Sequence, residues 1–395
     1  MKGENLMGIA RTTLKGVTHY VPSRAYSGYT LFSPMFGKDV WLVDMQGRIV
    51  HRWRTEPYKP NFARFLANGN LLYQGVKSGG IMGPGLAYLF GEHYEQTEED
   101  RGVCLIEVDW DNNLVLKYEE PQFNHDFYRM KNGNTMLIKY VDVPDDIKNK
   151  VKGGIPGTEQ NGIMWADALN EVTPDGEVVW EWLAYEHLDP EMDVICPLEY
   201  RGEWTHMNTC SVLPDGNILG SFRQTNTICI IDKATGNIIW RWGRDELGHQ
   251  HEPTMLDNGN ILVFDNGPHR FLSQDLDYYS RVLEVNPATN KIEWEYKDDP
   301  PSEFYAFGMG GAQRLPNENT LICETHGGRI FEVTRDREII WEYVSPFYGP
   351  FLTYGQANLI YRAYRYGHEY QGLKGKNLDP NNFRWLNAVY GPGAK

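Results

Sequence analysis

One signal repeats along the chain, a tight polar turn followed at once by apolar residues. It recurs as LANGNLLYQ, MKNGNTMLIKY, LPDGNILGSF, LDNGNILVFD and LPNENTLICE. The Asn-Gly and Asp-Gly pairs suit the positive φ of two-residue hairpin turns. Each hairpin is followed, sometimes after an insertion, by a second one with an acidic or polar turn: LIEVDWDNNLVLKYEE, LNEVTPDGEVVWEWL, ICIIDKATGNIIWRWG, VLEVNPATNKIEWEYK and IFEVTRDREIIWEYV. Alternation in WEW, WRW and WEY marks a last strand with one covered face. Four strands per unit, repeated every forty to eighty residues or roughly so, predict a β-propeller rather than a sandwich.

Five units are complete. A sixth outer hairpin, YTLFSPMFGKDVWLVDMQGRIVHRWR, opens the chain, and ANLIYRAYRY near the C-terminus is an apolar run without a second hairpin. Pairing the two ends in one blade would give an all-β, six-bladed propeller with no raw strand edge. The expected organisation is a single domain over 1–395, with the propeller at 25–370 and a C-terminal extension at 371–395.

Composition agrees. Aromatic residues make up 13% of the chain, with 12 Trp and 24 Tyr, which suits half-buried sheet surfaces. A formal charge of -15 argues against nucleic acid or an anionic membrane as partner. The first residues, MKGENLMGIARTTLKGVTHYVP, lack the apolar run of a secretory signal, and no stretch reaches the length of a membrane span, so the expected location is cytoplasmic. Five scattered cysteines in no CxxC spacing indicate reduced thiols rather than disulfides or a zinc knuckle.

Strand direction gives function a place. If the first strand of each unit runs along the axis toward the NGN turn, the short turns share one face. The long insertions, roughly 75–101, 141–167, 184–204 and 268–280, share the other, where a rigid scaffold carries its working loops. On that face His125, His206 with Asn208, and His251 begin inner strands. Arg223, Asn266, Arg270 and His326 sit at or just past the ends of second strands. One histidine at a strand end is ordinarily structural; four in corresponding rim positions, with two arginines, describe a mouth for a small aromatic or anionic substrate. His19, His51, His93, His187, His249, His269 and His368 fall outside the pattern and receive no role. The Trp residues of the outer strands are read as packing.

These residues resemble the bacterial arylsulfate sulfotransferases, six-bladed propellers that move a sulfuryl group between phenols without a nucleotide donor. The resemblance rests on HMN at 206–208, QH at 250–251, FDNG at 264–267 with Arg270 behind it, and NLIYRAYRY at 358–366. It implies a two-step transfer through a sulfohistidine with no cofactor: His326 as nucleophile, His206 and His251 as flanking catalytic histidines, and Arg270 holding the sulfuryl oxygens. Arg223, Asn266, Asn208 and His125 would then bind substrate. The alternative reading makes His125, His206, His251 and His326 ligands of one divalent metal ion in a lyase or hydrolase; the two arginines, repelled by a metal, weigh against it. A propeller that only binds protein partners would have a bland rim, which the histidines contradict.

Overall fold

The computed structural model describes residues 14–77, 103–159, 162–270, 278–350 and 355–392. Six antiparallel four-stranded blades surround an axis. In the order from the axis outward, the second blade comprises Tyr58–Phe65, Leu71–Lys77, Val103–Val108 and Leu114–Glu119. The third comprises Phe123–Arg129, Thr135–Asp142, Trp165–Val172 and Val178–Leu183, and the fourth Met207–Val212, Ile218–Phe222, Thr227–Ile231 and Ile238–Trp242. The fifth has His251–Met255, Ile261–Asp265, Arg281–Asn286 and Lys291–Tyr296, and the sixth Gly311–Arg314, Thr320–Glu324, Arg329–Val333 and Ile339–Val344. An added strand, Gly16–Tyr20, pairs outside the sixth blade.

The first blade draws on both ends of the described chain. Its inner strand is Ile360–Gly367, which pairs antiparallel with Gly28–Pro34, with Thr30 opposite Arg365. The opening stretch supplies three strands rather than the single hairpin expected, because Gly28–Pro34 is followed by both Asp39–Val43 and Ile49–Arg54. The insertion expected at 75–101 lies almost wholly outside the described residues, as do 1–13 and 271–277. Among the described residues no helix is long and apolar enough to cross a membrane.

The turns differ in detail from expectation. In LANGN, Gly69 N–H donates to Leu66 O at 2.9 Å while Leu66 N–H donates to Asn70 O at 2.8 Å. Gly69 has φ +87 and Asn68 is not left-handed. That is a three-residue loop, a type I turn closed by a left-handed bulge glycine, not a two-residue turn needing positive φ twice. Gly133, Gly216 and Gly259 repeat it, and Glu318 takes the left-handed place in the sixth blade.

In four of these five turns the asparagine after the left-handed residue has a glutamate partner. Asn70 donates to Glu107, Asn134 to Glu171, Asn260 to Glu284 and Asn319 to Glu332, each glutamate standing on the third strand of its own blade. A cation from the following blade meets each one: Arg129, Lys233, Arg314 and Arg365 respectively. The fourth blade has Ile230 there and no such tie. The outer-strand tryptophans pack between blades as expected, and their indole N–H groups reach the next blade's backbone: Trp53 to Asp109 O, Trp182 to Gly236 O, Trp294 to Arg335 O and Trp341 to Met45 O. Each such indole buries a large apolar area and leaves no unpaired donor.

Candidate active site

Five of the six inner strands carry a register shift near their starts. The extra residues fall at Asn61 and Phe62, His125 and Asp126, Asn208, Glu252 and Pro253, and Tyr361 and Arg362. Such bulges re-aim side chains, and here they aim charge at the axis. Arg362, fully buried, holds Asp126 Oδ1 at 3.0 Å and Glu252 Oε1 at 3.5 Å, and donates to Asn208 O at 2.9 Å and Thr209 Oγ1 at 3.0 Å. Arg64 reaches the same Asp126 oxygen at 3.2 Å, and Tyr364 donates to Glu252. The sixth inner strand has no bulge and contributes glycine: a Cβ on Gly311 would lie 1.6 Å from Glu252 Oε2. Two arginines and two carboxylates thus close the axis, each buried charge facing its opposite. Below them, toward the turns, lies a cavity of about 530 Å³ lined in part by Arg64, Glu252, Met130 and Met255.

Above the plug is the histidine rim. His125 and His206 meet edge to face with ring centroids 4.4 Å apart. His206 Nδ1 lies 2.9 Å from Glu203 Oε1, within ion-pair reach though off the line of a hydrogen bond. His125, Thr205 and His206 have φ of +46, +92 and +52, left-handed backbone that costs a β-branched residue such as Thr205 most. Burial pushes the Glu203 carboxyl up to about 7 and the Asp167 carboxyl beneath it, which binds Thr205 and Met207 N–H, likewise up to about 7. Burial, seconded by the Arg223 guanidinium, drives the His206 imidazole down to about 3. His206 is therefore neutral near pH 7 while the carboxyl behind it is close to its midpoint.

The other expected site residues divide. Arg223 lies on the rim, its charge felt by His125, His206 and His251, with Nη2 3.2 Å from Glu199 Oε1. His251 is buried, and both ring nitrogens are engaged. Asn266 gives its amide hydrogens to Ala306 O and Met309 O, so its Oδ1 must accept from His251 Nδ1 at 2.7 Å; Nε2 then accepts from Met309 N–H at 3.2 Å. Asn208 is also committed inward, donating to Gln250 O. Arg270, with 6% of its side chain exposed, binds Asp265 Oδ2 at 2.9 Å and Tyr279 O at 3.2 Å. His326 stands beside exposed Phe307, ring centroids 4.3 Å apart, with Nδ1 buried and unpartnered; burial alone lowers its imidazole to about 4.

Sequence reasoning missed Glu203, Glu199 and the plug residues Asp126, Glu252, Arg64 and Arg362. It also set aside His249 and His269, which face each other at 2.9 Å beside Glu199. The string EWTHMN places a carboxylate three residues before His206, and that was the available signal for Glu203.

An arylsulfotransferase family model matches residues 104–346, which take in most of the blades and every rim histidine. The chain belongs to the arylsulfotransferase family. That membership makes it a transferase of the sulfuryl-moving kind. No curated protein sequence matches it. Among solved structures, a protein of unknown function from Bacteroides caccae is similar over 85% of this chain and 98% of its own, at 13% identity and a TM-score of 0.53. Virginiamycin B lyase from Staphylococcus aureus is similar over 85% of both chains, at 10% identity and a TM-score of 0.43.

Proposed function

We propose that this arylsulfotransferase-family member passes a sulfuryl group from an aryl sulfate to a phenol through a histidine of the axial mouth. The observation that carries this reading is a set of imidazoles, His125, His206 and His251, held neutral by burial around the Arg223 guanidinium, with a carboxyl near its midpoint behind His206; His326, also neutral by burial, stands against Phe307. A neutral imidazole has the lone pair that attack on sulfur requires. In the first step a His326 nitrogen bonds to sulfur as the bond from sulfur to the aryl oxygen breaks, and the departing phenolate takes a proton from the His206 and Glu203 pair. In the second, the acceptor phenol gives its proton to that pair, its oxygen bonds to sulfur, and the nitrogen–sulfur bond breaks. Exposed Phe307, against His326, offers a ring face for the aryl group. Arg223 meets the sulfuryl oxygens; we assign this to Arg223 because its charge acts on His125, His206 and His251, whereas Arg270 Nη2 is tied to Asp265 and Tyr279 O.

Brief reaction of the protein with p-nitrophenyl sulfate, kept at neutral pH or above, should add one sulfuryl mass to the peptide containing ETHGGR. His326→Ala should abolish both adduct and turnover. Turnover surviving in His326→Ala, or an adduct on another histidine, would displace His326 from the reaction.

A further inference from the structure

We propose that Cys196, His249 and His269 form a binding site for a divalent transition metal of the zinc class, with Glu199 as the neighbouring second negative charge. This site is separate from the four axial histidines and does not rest on the sulfuryl-transfer reading. Among the described residues, these three are the group whose ligand atoms all lie within 4.8 Å of one another. His249 Nε2 is 2.9 Å from His269 Nδ1, and Cys196 Sγ is 3.6 Å from the same Nδ1. Zinc bonds of about 2.0–2.3 Å in tetrahedral arrangement separate ligand atoms by roughly 3.3–3.8 Å. The two histidine nitrogens therefore need to part by only a few tenths of an ångström, Cys196 Sγ already stands at ligand spacing from His269 Nδ1, and Cys196 and His249 lie within 4.8 Å of each other.

Tautomer and backbone point to the same place. His249 Nδ1 lies 3.0 Å from Arg223 O, and a carbonyl can only accept, so this nitrogen carries the proton and Nε2 presents its lone pair to the cluster. A ring nitrogen donating to a backbone carbonyl while the other faces a metal is the usual outer arrangement of histidine ligands. His249 and His269 both adopt left-handed backbone, φ +55 and +57, conformations that cost a side-chain-bearing residue and converge their rings. Glu199 Oε1 stands 3.2 Å from His249 Nε2 and 3.6 Å from His269 Nδ1. Arg223 Nη2, 3.2 Å from the same oxygen, takes part of the Glu199 charge, so the Cys196 thiolate and the remainder from Glu199 set against a 2+ ion leave the site with a net positive charge. Cys196 and Glu199 lie on Ile195–Tyr200, in an insertion between the third and fourth blades, whereas His249 and His269 flank the first hairpin of the fifth. A bound ion would staple that insertion to the fifth blade and fix the Arg223 backbone at the edge of the mouth.

Untagged protein stripped with a chelator and titrated with Co2+ tests this directly. One equivalent should bind with the visible spectrum of tetrahedral cobalt and a near-ultraviolet thiolate-to-cobalt charge-transfer band; Zn2+ should displace it and raise the melting temperature. Cys196→Ser, nearly isosteric, should lose the charge-transfer band and weaken binding by more than the roughly 10–100-fold that loss of an outer partner costs. His269→Asn, which tolerates the left-handed backbone, should lose the tetrahedral spectrum. His326→Ala should bind cobalt like the wild type, so failure of the transfer mechanism would leave this result intact. An octahedral spectrum, an unchanged band in Cys196→Ser, or binding lost in His326→Ala but kept in His269→Asn would overturn the site.

Discussion

Glu203 is the residue whose chemistry departs furthest from its sequence context. Its carboxyl, raised by burial to about 7 from an ordinary 4.5, contributes stability that is complete below about pH 4.5 and lost as pH rises through 7. The imidazoles act oppositely: His206 beside it and, elsewhere, His326 are depressed, so their contribution is complete above about 6.5 and lost as pH falls toward 3 and 4 respectively. Comparing wild type with Glu203→Gln isolates the first effect. The wild type's melting temperature should fall relative to the variant's between about pH 5 and 8, by an amount corresponding to about 2–4 kcal/mol. Parallel melting curves across that range would show that Glu203 does not take up the proton. In turnover, an inflection near pH 7 present in the wild type should vanish in Glu203→Gln. None of this was readable from EWTHMN alone, because a glutamate three residues before a histidine has no shifted carboxyl until the third and fourth blades bury it.

At the scale of the strand, the decisive device is the bulge. Alternation predicts which residues of an inner strand face neighbours, but an extra residue resets that alternation midway. The histidines at strand starts were legible because their positions repeat relative to the NGN turns. Asp126, Glu252 and Arg362 were not, since a regular strand gives no reason for a charge to point at the axis. Gly311 shows how the sixth strand complements the other five. Gly311→Ala would drive its Cβ into Glu252 and separate that carboxylate from Arg362 and Tyr364. Leaving a buried charge poorly paired should cost about 3–5 kcal/mol. Gly259→Ala, in a turn with open space around it, should cost only the about 1–2 kcal/mol of left-handed backbone. Equal melting temperatures for the two variants would mean that the plug rearranges freely.

At the scale of the molecule, Ile360–Gly367 is the inner strand against which the N-terminal strands pair, and it carries both Arg362 of the plug and Arg365, the partner of Glu332. Trp341 donates to Met45 O across the same junction. Deleting 356–370 removes that strand, exposes the edge of Gly28–Pro34 and leaves Asp126, Glu252 and Glu332 without these arginines. The deletion should yield no soluble protein with a cooperative melt; a normal melt would mean that the remaining blades stand without it.

The sequence by itself determined the repeat, the blade count, the face that bears the loops and the strand ends at which His125, His206, His251 and His326 stand. Those properties are local: turn chemistry and alternation act within a dozen residues. Only the tertiary structure decided which of these side chains are free for chemistry. His251 and Asn266 satisfy each other, and Arg270 answers Asp265, whereas Glu203 reaches His206 and the pair His249 and His269 gathers around Glu199. Hydrogen-bond partners, burial and the charges that follow from them depend on what neighbouring blades and insertions bring within 3 Å or so. A strand does not carry that information until its neighbours are in place.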